Sequence, residues 1–363
     1  MIQTPAPALD LTSDVAHLTA RLLDLESVSG HEAGIADAIE SALRRLDHLE
    51  VVRNGDCVMA RTMLGRSERV ILAGHIDTVP LPTAAGSRGT VPSTWEGETL
   101  FGRGATDMKG GVAVQLALAA ALTEPTRDIT FIFYDHEEVE ASLSGLGRVA
   151  HSHPEWLEAD FAVLLEPTDG TVEGGCNGTA RFEVRITGKA SHSARAWMGV
   201  NAIHAAADVL VRLRDHQPAT VHVDGLDYRE SLNAVKVTGG TAGNVIPDST
   251  VIEVNYRFAP DKTPEQAEEY VRALLEGFDV ERTDAAAGAR PGLQHPAAAA
   301  FVAAVGAEPK PKYGWTDVAR FSALGVPAVN FGPGDALLAH TDDEHVHADA
   351  VRACLQALVT WLS

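Results

Sequence analysis

Short apolar runs that end abruptly in charged or imidazole side chains recur along this chain. Val70, Ile71 and Leu72 lead through Ala73 and Gly74 to His75 and Asp77. Ile129–Tyr134 ends in Asp135-His136-Glu137-Glu138, and Phe161–Leu165 ends in Glu166-Pro167. Continuous apolar runs of this length predict strands covered on both faces. Residues 112–122 form a strongly helical run between the first two strands, and residues 13–25 and 35–46 have helical periodicity, with Ser13 as the expected N-cap of the first. Strands alternating with helices predict a mostly parallel α/β sheet. From about Gly178 the pattern changes: residues 179–187 alternate polar and apolar, 200–213 read as a helix, 232–238 and 250–258 as strands, 264–275 as a helix capped by Thr263, and 278–282 as a short strand. This β-α-β-β-α-β order is that of a ferredoxin-like unit, with Thr220–Val223 as an extra edge strand. After about Arg290 the first rhythm returns, with a strand at 328–331 and a helix at 348–362. The expected organisation is one domain at 1–177 and 290–363, interrupted by an inserted α+β domain at 178–289.

The strand pattern matters because ligands of such sheets bind beyond the carboxyl ends of the strands. His75, Glu137, Glu138 and Glu166 all fall there. Asp107 falls in a tight loop, FGRGATDMKGG, just before the helix at 112, where it reads either as a ligand or as a helix cap. His340 lies near His345 and His347, and any of the three could be a ligand. Together the residues suggest a two-metal cluster: His75 and Glu166 for one ion, Glu138 and His340 for the other, Asp107 bridging. Three protein ligands per ion leave an open position, the mark of a catalytic site. Asp77 shares a strand face with His75 and would orient its imidazole. Glu137 is the surplus carboxylate and the expected general base. Mixed histidine and carboxylate ligands suit Zn²⁺, with Co²⁺ or Mn²⁺ as substitutes.

Composition narrows the partners. The chain has 363 residues and a formal net charge of −21, which argues against nucleic acid and anionic membrane surfaces. Three scattered cysteines, Cys57, Cys176 and Cys354, are no disulfide framework and fit a reducing cytoplasm. The N-terminal stretch MIQTPAPALDLTSD shows no basic segment followed by an apolar one, and the longest apolar stretch, residues 111–122, is too short to span a bilayer.

The motifs GHIDTVP, GRGATDMKGG, DHEEVE and LLEPT, followed by GKASHSAR and NFGPGDALLAH, resemble the co-catalytic zinc aminoacylase and metallopeptidase family, which includes acetylornithine deacetylases and succinyl-diaminopimelate desuccinylases. FYDHEEVEA, SLNAVKVTGG and KYGWTDVARFSALGVPAVNFGPGD are most similar to the actinobacterial desuccinylase branch. The resemblance implies a cytoplasmic homodimer, joined through the inserted lid domain, that hydrolyses N-succinyl-L,L-2,6-diaminopimelate to succinate and L,L-2,6-diaminopimelate. It implies two zinc ions held by His75, Asp107, Glu138, Glu166 and His340, with Asp77 behind the first histidine and Glu137 as base. It further implies that His192 stabilises the oxyanion from the other subunit, and that Asn244, Arg257 and Thr316 contact substrate. N-acetylornithine or another N-acyl amino acid is the alternative substrate, and a catalytically inactive metal-binding dimer the alternative of another class. The loop 83–94 and Ser142-Leu143-Ser144 depart from the family pattern without touching a proposed ligand.

Overall fold

The structure is a computed structural model and describes residues 8–363, so the first half of the N-terminal stretch read for a leader lies outside the described residues. The chain divides into two compact units. The first comprises the chain up to Gly174 together with Gly292–Lys310 and Arg320–Ser363, and the second comprises Gly175–Pro291 and Pro311–Ala319. Thr316 therefore folds with the second unit.

The first unit is built on a twisted sheet. Strands β1 (Glu50–Asn54) and β2 (Cys57–Arg61) form a hairpin, followed in sequence by β3 (Arg69–His75), β4 (Asp128–Tyr134) and β5 (Phe161–Leu164). The spatial order is β1-β2-β4-β3-β5, then Ala328–Asn330 and Glu173–Gly174. β4, β3, β5 and Ala328–Asn330 run parallel, while β2 and Glu173–Gly174 pair antiparallel to their neighbours. The parallel interior explains the continuous apolar runs: every residue of β4 is buried, as is every residue of β3 after Arg69. Helix Lys109–Ala121 covers one face and contacts helices Val15–Leu23 and Ala348–Leu362. Its Leu116 and Leu118 are 0 % exposed, and burial of each contributes about 1.5–3 kcal/mol. Asp14 rather than Ser13 caps the first helix, accepting from the N–H groups of Ala16 and His17. Among the described residues no helix is long and apolar enough to cross a membrane.

The second unit holds an antiparallel sheet of β6 (Gly178–Thr187), β7 (Ser231–Gly239), β8 (Ser249–Phe258) and β9 (Asp279–Ala286) in the order β7-β8-β6-β9. That is the ferredoxin-like order. Burial alternates along β6 and β8, and the inner face packs Phe182, Val184, Ile252 and Val254 with residues of helices Ala202–Asp215 and Pro264–Leu274. Thr263 and Gln266 form a reciprocal capping box at the second helix. One expected element falls elsewhere. Thr220–Val223 is not an edge strand of this sheet; it pairs with Leu226–Arg229 in a separate hairpin. Asp224 and Gly225 have φ of 48° and 96°, the backbone that an Asp-Gly dipeptide favours in a two-residue turn.

Candidate metal centre

Five chain segments of the first unit deliver the candidate ligands, the last of them the loop at His340. β3 ends in His75, which is 0 % exposed, and the β3–β4 register sets His75 beside Tyr134. The residues after β4 therefore emerge next to Asp77. His136 takes φ of 58°, an uncommon backbone for a residue with a Cβ, and the chain then presents Glu137 and Glu138. β5 leads to Glu166, which is buried. Asp107 precedes helix Lys109–Ala121, whose N-cap position is Met108 with no side-chain cap; Asp107 is thus not the helix cap. Gly111 lets that helix approach the strand end, since a Cβ there would lie 2.2 Å from the Leu165 carbonyl oxygen.

Asp107 stands between the two histidines. Its Oδ1 lies 3.0 Å from His75 Nε2, and its Oδ2 lies 3.4 Å from His340 Nε2. His340 Nε2 is also 2.9 Å from Glu138 Oε1. Ligand atoms of His75, Asp107 and Glu166 lie within 4.8 Å of one another, as do those of Asp107, Glu138 and His340, and those of His75, Glu137 and Glu138. His345 and His347 are engaged otherwise. The first has Nδ1 2.7 Å from the Asp343 carbonyl oxygen and its ring on Phe101. The second accepts from the N–H of Asp349 at the start of the last helix.

Asp77 is tied more widely than the strand pattern suggested. His75 Nδ1 is 3.0 Å from the Asp77 backbone carbonyl and 3.5 Å from its Oδ1. The carboxylate itself accepts from the N–H of Glu137 at 3.0 Å, from that of Glu138 at 3.1 Å and from Ser29 Oγ at 2.6 Å. Burial pushes the Asp77 carboxyl up, but the bonds to His75, Ser29 and Glu137 outweigh it and bring it down to about 2. Burial likewise opposes, and hydrogen bonds from His340 and His75 reverse, the shift of Asp107, which is held well below the usual carboxylate range. His75 is raised well above its ordinary value, its hydrogen bonds to Asp107 and Asp77 overcoming burial. The hydrogen bond to Asp107, helped by Glu138, lifts His340 to about 10 against burial. Each shift favours positive charge among the carboxylates, which suits a divalent cation as well as a proton. The donors are oxygen and imidazole nitrogen without thiolate, and one carboxylate turns a different oxygen towards each histidine. This set fits two borderline divalent ions.

Three supporting residues were not evident in the pattern. Glu344 is buried and accepts from Arg103 Nη1 and from the N–H groups of Thr106 and Asp107. Glu32, buried under the turn at His136, accepts from its N–H at 3.3 Å. Lys109 Nζ donates to the Leu25 carbonyl, and burial pushes its ammonium down to about 7. The remaining expected residues belong to the second unit. His192 is exposed and accepts from the N–H of Ala194 through Nδ1; Asn244 is exposed; Arg257 is half-buried and donates to Asn255 Oδ1; Thr316 is buried.

A mostly parallel sheet with a carboxylate-rich donor set at its strand ends, able to hold two ions, is an arrangement suited to metal-assisted hydrolysis. The sequence profile of peptidase family M20/M25/M40 matches residues 71–363, and the chain belongs to that family. The chain is 52% identical over 357 residues to a protein of Mycobacterium tuberculosis strain H37Rv provisionally named succinyl-diaminopimelate desuccinylase DapE, covering 98% of this chain and 99% of that one. It is 44% identical over 368 residues to the succinyl-diaminopimelate desuccinylase of Corynebacterium glutamicum, covering 98% of each. The fold is similar to that of an M20 family metallo-carboxypeptidase from Sulfolobus solfataricus, with a TM-score of 0.77 at 16% identity over 96% of this chain and 98% of that one. It is also similar to a dinuclear metal-binding M20 peptidase from Bacillus subtilis, with a TM-score of 0.71 at 17% identity over 97% of each chain.

Proposed function

We propose that this chain hydrolyses the amide of N-succinyl-L,L-2,6-diaminopimelate, releasing succinate and L,L-2,6-diaminopimelate. The observation that carries the reading is near-full-length identity of 44% to the C. glutamicum desuccinylase. The donor set supports the chemistry: His75 and Glu166 would hold one ion, Glu138 and His340 the other, and Asp107 would bridge them. Zinc is the expected metal, with cobalt or manganese as substitutes. When bound, such ions polarise a carbonyl and lower the pKa of water. Glu137 is not needed as a ligand and borders both groups. It takes the proton of the attacking water and returns it to the leaving nitrogen as the C–N bond breaks, a role typically worth about 10²–10⁴ in rate. Asp77 fixes the backbone that presents Glu137 and orients His75. His192 is assigned to the oxyanion, and Asn244, Arg257 and Thr316 to substrate contact.

A homodimer joined through the second unit belongs to the same reading. Val235 and Val237 are 61 % and 50 % exposed on the outer strand β7, and Ile203, Leu210 and Val211 are exposed on helix Ala202–Asp215. An open apolar strand edge of this kind favours pairing with another chain. Three buried cysteines fit a reducing, cytoplasmic setting. The test is side-by-side turnover of N-succinyl-diaminopimelate, N-acetylornithine and a dipeptide with Zn²⁺ present. Preference for the first supports the reading, preference for either other substrate moves the chain to another branch, and turnover of none favours a metal-binding dimer.

A further inference from the structure

Glu344 is 0 % exposed and Arg103 is 3 % exposed. They form an ion pair of 2.7 Å directly beneath the loop that carries Asp107. A carboxylate buried near a second carboxylate is unfavourable unless its oxygens are fully engaged, and here they are. Oε2 accepts from Arg103 Nη1, while Oε1 accepts from the N–H of Thr106 and the N–H of Asp107, each at 3.1 Å. The tie runs in both directions. The N–H of Gly102 donates to the Glu344 carbonyl at 3.1 Å, and Thr106 Oγ1 donates to the His345 carbonyl at 2.6 Å. On its other side the same segment is braced by the loop 83–94: the N–H of Gly89 donates to the Asp342 carbonyl at 2.7 Å, and that of Arg88 to Asp343 Oδ1 at 3.1 Å.

Glu344 lies four residues after His340, and Asp107 and His340 belong to the same group of candidate ligands. One buried carboxylate therefore grips the backbone amide of one ligand from a segment that begins with the other. We infer that Glu344 is a positioning residue, which ties the Asp107 turn to the His340 loop and so sets the ligand spacing for the ion shared by Asp107, Glu138 and His340. This rests on the two-ion reading above. Glu344 is not itself a ligand, because its oxygens are turned to N–H donors, and among the described residues it belongs to none of the ligand groups.

The experiment is Co²⁺ titration of the chelator-stripped full chain, read by calorimetry and by visible d–d absorption. The wild type is expected to take two equivalents. Glu344→Gln is expected to keep the wild-type circular dichroism and to bind one equivalent with unchanged affinity and spectrum. The other equivalent should weaken by about 10–100-fold, as loss of outer-shell partners typically does, with an altered spectrum. Two equivalents of wild-type affinity and spectrum in Glu344→Gln, even with a lowered melting temperature, would overturn the inference and leave the two-ion reading standing. Fewer than two equivalents in the wild type would overturn both. Should Glu344→Gln fail to fold, Glu344→Asp keeps the charge opposite Arg103 but draws the carboxylate back from the N–H groups of Thr106 and Asp107. A smaller loss confined to one equivalent supports the inference, and no loss overturns it.

Discussion

The carboxylate of Asp77 receives the backbone N–H of Glu137 at 3.0 Å. A residue that reads from sequence as the partner of one histidine thus also fixes the turn that presents the expected base. The end of β3 and the end of β4 are joined through this single side chain, which takes up Glu138 as well.

The depressed Asp77 carboxyl makes acid sensitivity a readout of that junction. Its folded value of about 2 lies below the ordinary value near 3.9. A depressed carboxyl contributes stability above its unfolded value and loses it as pH falls through the folded one. Asp77→Asn should therefore lower the stability of the metal-free protein by about 2 kcal/mol at neutral pH, and the gap to wild type should close between about pH 4 and 2. Urea unfolding midpoints of both proteins across that range check this; a gap independent of pH would contradict it.

Glu137→Gln keeps shape and removes the proton acceptor. Turnover is expected to fall by about 10²–10⁴, while metal analysis still finds the wild-type content. Activity within a few-fold of wild type would remove Glu137 from the role of base.

Three neighbouring histidines can be separated by metal content. His340→Ala should lose one ion per chain. His345→Ala and His347→Ala should lose none, since the first packs on Phe101 and the second caps the last helix. Plasma emission spectrometry of dialysed proteins decides the matter.

Glycine substitutions test how tightly the helix before the strand ends is seated. A Cβ at Gly111 would meet a backbone oxygen at 2.2 Å, and overpacking of this kind costs about 1–3 kcal/mol or more. Gly111→Ala should lower the melting temperature and weaken metal binding together. Gly34 meets nothing within 4 Å and sits in helix Ala33–Leu43, so Gly34→Ala should raise stability by about 0.4–1 kcal/mol. Differential scanning calorimetry of the two variants provides the comparison.

The outer strand of the second unit supplies a test of assembly. Val235→Lys together with Val237→Lys places charge on an exposed apolar edge, a device that blocks strand addition. Sedimentation should show a dimer for wild type and a monomer for the double variant, with the secondary structure of both unchanged.

The strand ends were legible because an apolar run that stops at a charged residue marks both a buried strand and its exit. His75, Glu137, Glu138 and Glu166 carry that signature, and the structure brings them to one edge. Glu344 carries the opposite signature. It closes the acidic run Asp342-Asp343-Glu344, which reads as a solvated stretch, yet only its last member is buried while the first two stay exposed. Burial there depends on Arg103, which lies 241 positions away in the chain, and no local pattern encodes such a partner. The separate hairpin at 220–229 carries a local signal, its Asp-Gly turn, but nothing local says that the pair stays apart from the edge of the larger sheet. Residues 311–319 folded with the second unit although they follow the first unit's rhythm in sequence, because order along the chain does not determine which core a segment joins.

The chain order of the site has a consequence for synthesis. Asp107, Glu138 and Glu166 leave the ribosome early, whereas His340, Glu344 and the strand Ala328–Asn330 that pairs with β5 are translated after nearly the entire second unit. At roughly 5–20 residues per second, the acidic half of the centre waits on the order of ten seconds or more for its last histidine. A nascent chain cannot complete the second ion position during that interval. Termination between Glu166 and His340 therefore yields a polypeptide with all the candidate carboxylates and an unfinished centre, so metal loading reports that translation ran through to His340.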